Sequence, residues 1–403
     1  MHVELHPRFS QTPEGEAAKS LTAACVHCGF CLTTCPTYLD KRDERDSPRG
    51  RIYLIKNLLE TGEATAQTRL HLDRCLTCRN CETACPSGMQ YGELLDIGRG
   101  LMEQEAPRPI PSRGFRWALR FVLSRPRLIA MVLGLGQSLR PVLPRFLSQK
   151  IPARQVPKPL PGQEHPRKML VLEGCVQGAA TPNTNAAARR VLDRLGITLV
   201  SAPSAGCCGA VNYHLAAHAE GLDNMRRNID AWWPYIEMGA EAIVSSATGC
   251  GAMLVDYGRL LADDPAYAEK ARRVTLLTRD LAQILENEDL QQLAVNTRVG
   301  KVAVHPPCTM QHALQQPTLL DTVLRRAGFD IATVTEKLLC CGSAGTYSIL
   351  QPDTSERLRE TMLRTLGSDK PDLIATANIG CQLHLQAASG VPVVHWIELL
   401  DSH

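Results

Sequence analysis

The sequence predicts a multidomain α+β protein: a small helical amino-terminal module organised by cysteine ligands, followed by two copies of an α/β unit built on a parallel sheet. Three observations predict it. The string Cys25-x-x-Cys28-x-x-Cys31-x-x-x-Cys35-Pro36 recurs as Cys75-x-x-Cys78-x-x-Cys81-x-x-x-Cys85-Pro86, every member displaced by 50 positions. A second set, Cys175, Cys207-Cys208-Gly209 and Cys250, recurs as Cys308, Cys340-Cys341-Gly342 and Cys381, at offsets of 133, 133 and 131. Around the second set, short β-branched runs alternate with amphipathic segments, the pattern of strand, crossover helix and parallel strand. A fixed internal offset marks one structural unit used twice.

The first duplication is a two-cluster ferredoxin signature. Three thiolates on a short loop hold three irons of a cubane, and the fourth, beyond a wider gap, reaches to the other cluster. By this crossing rule Cys25, Cys28, Cys31 and Cys85 hold one [4Fe-4S] cluster, and Cys75, Cys78, Cys81 and Cys35 hold the other. The prolines that follow Cys35 and Cys85 fix φ and carry no N–H, which turns the chain away at each crossing. A disulfide framework or two zinc sites account for the pattern less well. Tetrahedral zinc takes pairs of Cys-x-x-Cys, and the third evenly spaced thiol with its trailing Cys-Pro is surplus to it.

All sixteen cysteines fall in these two duplications. In a chain of 403 residues whose first residues show no secretory signal, ligands are expected rather than disulfides. The formal charge of +3 says little about partners, but its distribution says more. From Ala106 to Lys168 there are thirteen Lys and Arg against one acidic residue, Glu164. Within that stretch Phe115–Leu123 reads as a basic amphipathic helix and Leu128–Leu135 as a second apolar run, neither near the twenty or so residues a bilayer span needs. The stretch is read as an interfacial anchor, with arginines toward head groups and aromatic rings at the acyl boundary. The competing reading is a linker packed on its neighbour. The expected division is 1–105 for the ferredoxin-type domain, 106–168 for the basic linker, and 169–290 and 291–403 for the two cysteine-rich units.

Within the first unit, strands are expected at Lys168–Leu172, Ile197–Val200 and Ala242–Val244, with a helix at Asn185–Leu195. The second unit is expected to place strands at Val302–Val304, Asp372–Ala375 and Val391–Val394, with a helix over Gln311–Ala327. Ligand sites in parallel sheets lie at the carboxyl ends of strands, where Cys175 and Cys308 fall. Glycine after each cysteine pair permits positive φ and close backbone approach, which suits a ligand loop.

Taken with the ferredoxin module, the repeated pattern resembles the CCG cysteine-rich domains of heterodisulfide reductases, anaerobic glycerol-3-phosphate dehydrogenase and lactate-utilisation complexes. The order of modules and the stretches Asp46-Ser-Pro-Arg-Gly-Arg-Ile-Tyr-Leu54, His305-Pro-Pro-Cys-Thr-Met-Gln-His312 and Cys340-Cys-Gly-Ser-Ala-Gly-Thr-Tyr347 resemble one family most closely, the glycolate oxidase iron-sulfur subunit. The resemblance implies a complex whose FAD-containing partner subunits oxidise glycolate, or D-lactate, to the 2-oxo acid. This chain would pass the electrons to the quinone pool from the cytoplasmic face of the inner membrane. Alternatives are a catalytic subunit like that of heterodisulfide reductase, or the iron-sulfur subunit of a lactate or glycerol-3-phosphate dehydrogenase.

The family pattern closes each CCG unit with Cys-x-x-Cys, whereas here the closing strings are Cys250-Gly-Ala-Met253 and Cys381-Gln-Leu-His384. Histidine can replace cysteine on iron, so the second unit, with Cys308, Cys340, Cys341, Cys381 and His384, has the stronger claim to a third cluster or a quinone site. The first unit offers Cys175, Cys207, Cys208 and Cys250. His305 and His312 flank Cys308, where they could bind metal or move protons, although backbone hydrogen bonding is the commoner fate of such residues. Arg49 and Arg51 either raise a cluster's potential or face solvent near Glu44 and Asp46. No Gly-x-Gly-x-x-Gly follows a strand, so no dinucleotide fingerprint is present. The aromatic content is 4% and no nucleic-acid module accompanies the basic stretch, so DNA or RNA is not an expected partner.

Overall fold

The structure is a computed structural model that describes residues 1–144, 151–334 and 339–401. In the amino-terminal module, helices Pro13–Ala23, Pro48–Thr61, Ala66–Asp73 and Tyr91–Glu105 enclose a core of Ile52, Ile55, Leu58, Leu59, Leu72, Leu94 and Leu95. The first three begin on Thr12, Ser47 and Thr65, whose side chains accept backbone N–H bonds, and Pro13 and Pro48 occupy the first turn, where no amide donor is needed.

Each cysteine triad starts just after a helix, Cys25 beyond Pro13–Ala23 and Cys75 beyond Ala66–Asp73. The loops repeat in backbone as well as in sequence. His27 and Gly29 have φ of 59° and 85°, and their counterparts 50 positions on, Thr77 and Arg79, have 55° and 60°. The two loops thus make their left-handed turns at the same places relative to their cysteines.

The first cysteine-rich unit carries a parallel sheet in the order β2-β1-β3-β4, with β1 Arg167–Leu172, β2 Ile197–Ser201, β3 Ile243–Ser245 and β4 Thr278–Asp280. Met169 pairs with Leu199 on one side, and Leu170 with Ile243 on the other. The second unit has β5 Val302–His305, β6 Leu373–Thr376 and β7 Val393–His395 in sequential order, and a lone parallel bridge from Val302 to Ile331 stands where β2 stands in the first sheet. Strands β3, β5 and β6 are buried throughout, as expected when helices cover both faces.

The six expected strands are present within two residues, and β4 is an addition: Thr278–Asp280 is too short and too polar to show a period. The helix expected over Gln311–Ala327 is interrupted. A π-type turn covers Thr309–Ala313 and the helix proper is Leu319–Arg326. Pro317 has no N–H to give to a helix and disfavours helical geometry at the residue before it, and Gln315 takes φ of 56°.

One core joins the two units. Val171, Val191 and Leu199 of the first pack in the same cluster as Val302, Leu320 and Trp396 of the second. Arg190 closes the seam with Asp401 at 2.6 Å, and Thr184 with Glu398 at 2.6 Å.

The basic stretch, described except for residues 145–150, forms helices Ile110–Leu123 and Pro126–Leu139. Its orientation corrects one expectation. Arg108 and Arg116 turn inward to Asp73 at 2.6 and 3.2 Å, and Arg120 reaches Glu220 at 3.3 Å, so these arginines are not free for head groups. The outward face is apolar: Phe115, Trp117, Phe121, Met131, Val132, Leu135 and Leu139 are exposed. Among the described residues, no helix is long and apolar enough to cross a membrane.

Candidate iron-sulfur and thiol sites

Cys25, Cys28, Cys31 and Cys85 line one cavity with Cys81, Met89 and Tyr91, so the fourth cysteine of the second string meets the triad of the first. The reciprocal set is deeper. Arg51 feels the charge of both Cys75 and Cys35, and Cys35 acts in turn on Cys78 and Cys81. Burial pushes the Cys78 and Cys81 thiols well up, a cost that ligation to iron offsets. Cys85 is pulled below the usual thiol value, because the Ser87 hydroxyl and the N–H groups of Ser87, Gly88 and Met89 outweigh its partial desolvation. The sulfurs already have donors: the Thr77 N–H lies 3.4 Å and the Tyr91 hydroxyl 3.6 Å from Cys75 Sγ. Duplicated loops, eight thiols contributed by both strings and donors close to sulfur fit a pair of [4Fe-4S] clusters.

Beside Cys35 lies a buried charge network that no spacing in the sequence announces. Asp46 and Arg51 are wholly buried. The Asp46 carboxylate meets Arg51 at 3.3 Å, His71 Nδ1 at 2.9 Å and Arg74 at 3.1 Å. Arg51 also donates to the His71 carbonyl at 2.7 Å and to Thr37 Oγ1 at 3.1 Å, and Thr37 Oγ1 stands 3.3 Å from Cys35 Sγ. Burial works against the Arg51 charge, yet the nearby thiols, the Tyr91 hydroxyl and Asp46 outweigh it and keep the guanidinium charged. Arg51 therefore does not face solvent. Arg49 is partly exposed, 2.8 Å from Glu44.

The ferredoxin module closes over the cysteine-rich units. Leu76, Cys340, Tyr347 and Leu358 form a buried cluster against which Cys78 and Cys308 pack. The Tyr347 hydroxyl donates to the Arg74 carbonyl at 3.1 Å, and Thr83 Oγ1 lies 3.0 Å from His312 Nδ1. Arg79–Asp256 and His214–Asp96, at 3.2 and 3.1 Å, tie the same module to the first unit. Beneath it is a cavity of about 770 Å³ shared by Cys75, Cys78 and all eight cysteines of the two units.

The two units are chemically alike at their cysteines. Cys207 and Cys340 are held well below the usual thiol value by bonds from Cys175 and Cys308 and from the next cysteine in each pair. The glycines after the pairs are required. Gly209 and Gly342 have φ of 95° and 89°, and a Cβ on Gly342 would stand 2.5 Å from the Ser355 carbonyl oxygen. Met253 and His384 both line the cavity, and His384 Nε2 lies 3.1 Å from Ser355 Oγ. His305, for which backbone hydrogen bonding was the commoner expectation, instead has Nδ1 2.9 Å from Thr376 Oγ1 and lies beside Cys341 and Cys381.

A dicluster ferredoxin module joined to duplicated thiol-bearing α/β units defines an iron–sulfur electron-transfer subunit of an oxidoreductase. Residues 24–90 match the family described as a 4Fe-4S dicluster domain, and residues 169–255 and 302–386 each match the cysteine-rich domain of the CCG type. The chain is 51% identical over 402 residues to the glycolate oxidase iron-sulfur subunit of Escherichia coli (strain K12), covering 100% of this chain and 98% of that one. It is 29% identical to the probable glycolate oxidase iron-sulfur subunit of Bacillus subtilis (strain 168), over 93% of this chain and 92% of the other. Lactate utilization protein A of Bacillus licheniformis is 26% identical over 58% of this chain and 99% of its own. The chain belongs to the glycolate oxidase iron-sulfur subunit family.

Proposed function

We propose that this chain carries electrons from the flavin of FAD-containing partner subunits to the quinone pool while the complex oxidises glycolate, or D-lactate, to the 2-oxo acid. The observation that carries the reading is the unbroken run of thiols from the Cys25, Cys28, Cys31, Cys85 set through the Cys75, Cys78, Cys81, Cys35 set to Cys78 packed beside Cys340 and Cys308. These two sets are the proposed ligands, and the domain division at 105, 168 and 290 is proposed with them. Bound there, [4Fe-4S] clusters supply one-electron donors and acceptors. The protein's own part is to exclude water, to place donors on the sulfurs and to hold Arg51 beside the inner set. Cys308, Cys340, Cys341, Cys381 and His384 of the second unit and, with the weaker claim, Cys175, Cys207, Cys208 and Cys250 of the first are the candidates for a further metal centre or a quinone site.

The exposed apolar face of helices 110–123 and 126–139 supports peripheral contact with the cytoplasmic face of the inner membrane. Leu123 and Arg116 of the first of these helices line the thiol cavity, which supports entry of a quinone from that side. The lactate utilization relatives favour D-lactate as the second donor to try.

The test uses the purified complex under argon. Glycolate should bleach the partner's flavin and develop the reduced-cluster spin signal, and Cys78→Ser should leave flavin reduction intact while slowing quinone reduction at least about tenfold. If glycolate and D-lactate both fail while a heterodisulfide is split at the thiol cavity, the heterodisulfide reductase reading replaces this one.

A further inference from the structure

We propose that the second cysteine-rich unit binds a single tetrahedral divalent ion of the zinc class through His305 Nε2, Cys341 Sγ and Cys381 Sγ, with a fourth position open to the thiol cavity. A ring nitrogen of His305 and the sulfurs of Cys341 and Cys381 all lie within 4.8 Å of one another, and all three residues are buried. One ion with bonds of about 2.3 Å to sulfur and 2.0–2.1 Å to nitrogen places its ligands about 3.5–3.8 Å apart, which this set meets with small side-chain movement. A cubane seats each thiolate on a separate iron and needs them farther apart.

The second observation is His305 itself. Its side chain is wholly buried and its Nε2 has no hydrogen-bond partner, a costly state for a polar atom in the core. The other ring nitrogen is engaged by Thr376, which fixes the ring and, with the proton on Nδ1, leaves the Nε2 lone pair free to take a metal ion. Burial pushes the His305 pKa down to about 4, so the imidazole is neutral and able to ligate at neutral pH. Asn378 donates to Cys381 Sγ at 3.5 Å, a supporting contact of the kind that orients metal ligands. Two thiolates would cancel the charge of a divalent ion, so the loaded site is neutral and suited to its apolar surroundings.

The first unit shows what the fold does without this ligand. At the offset of 133 positions that relates Cys308 to Cys175, His305 corresponds to Leu172, a buried strand residue. Cys208 and Cys250 stand where Cys341 and Cys381 stand, and no imidazole joins them. Leucine is therefore compatible with this strand position, and His305→Leu installs the residue of the sister unit. The open position follows from the lining of the cavity, which includes Cys341 and Cys381 but not His305, so the histidine holds the ion from behind. This inference does not depend on the electron-transfer reading.

The full-length chain is expressed with iron and zinc supplied, purified anaerobically, and assayed for both metals with zinc-edge absorption on the same sample. The expected result is about one zinc per chain with one nitrogen and two sulfur neighbours, in addition to the iron of the amino-terminal clusters. His305→Leu should lower zinc occupancy at least about tenfold while the reduced-cluster spin signals stay unchanged, and His305→Cys should retain zinc in an all-sulfur shell. A wild-type chain complete in iron but empty of zinc, a zinc edge without a nitrogen neighbour, or unchanged zinc in His305→Leu would overturn the assignment. If His305→Leu does not fold, the wild-type edge spectrum and His305→Cys decide alone.

Discussion

The guanidinium of Arg357 clasps the carboxylate of Asp40 through two bonds of 2.7 Å, joining residues 317 positions apart and pinning the second cysteine-rich unit to the ferredoxin module. The contact lowers the Asp40 pKa, chiefly through the hydrogen bonds from Arg357. Arg357 is about half exposed and Asp40 is nearly buried, so screening limits the pair, and its bidentate geometry restores part of what exposure takes. Arg357→Ala should cost about 1 kcal/mol in denaturant unfolding, and a double-mutant cycle with Asp40→Ala should show a coupling of about 0.5–1 kcal/mol. Simple additivity of the two changes would show that the pair does not hold the modules together.

Arg51 has a second duty beyond packing. As a buried cation beside Cys75 and Cys35 it should favour the reduced, more negative cluster, so Arg51→Met should lower the potential of the inner cluster and leave the outer one unmoved. The variant also leaves Asp46 with only His71 and Arg74, and should destabilise the module by about 3–5 kcal/mol. A redox titration followed by the reduced-cluster spin signals reads the first effect, with Arg49→Met as the exposed control. Equal shifts from the two variants would refute the assignment to burial.

Much of this was legible in the sequence. The two cysteine duplications carry their spacing into the structure, and the β-branched runs reach the sheets because strands buried on both faces need nothing else to mark them. Other features were not legible. The Asp46–Arg51–His71–Arg74 network joins residues whose spacing follows no helix or strand period. His384 stood where a closing thiolate belongs, yet a position on a helix does not say where a ring turns, and Ser355 took it. His305 was visible only as a neighbour of Cys308, since its approach to Cys341 and Cys381 depends on the pairing of β5 with β6. Arginine direction in the basic helices was misread because Asp73 and Glu220, their partners, lie outside the stretch.

Acid should loosen the seam between the two units. Burial pushes His395 down to about 4, and its Nε2 lies 2.7 Å from the Ser246 carbonyl, a bond across that seam. A histidine whose folded pKa is depressed contributes stability present above its unfolded value near 6.5 and lost as pH falls toward 4. Over that window the loss should approach roughly 3 kcal/mol from this residue. Thermal unfolding between pH 7 and pH 4.5 should therefore fall more steeply in the wild type than in His395→Gln. Parallel profiles would remove His395 as a cause.

The outward apolar face gives a prediction of its own. Trp117 and Leu135 are exposed, so Trp117→Glu with Leu135→Glu should leave the fold and the cluster signals intact. Binding to vesicles of phosphatidylethanolamine and phosphatidylglycerol should weaken at least about tenfold in sedimentation. Undiminished binding would assign that face to a protein partner.

Iron and acid-labile sulfide in anaerobically prepared chain, counted together, bear most directly on the interleaved pair of clusters. The expected content is about eight of each at the amino-terminal module, with reduced-state spin spectra broadened by two neighbouring centres. About four of each, with the signal of one isolated cluster, would contradict it.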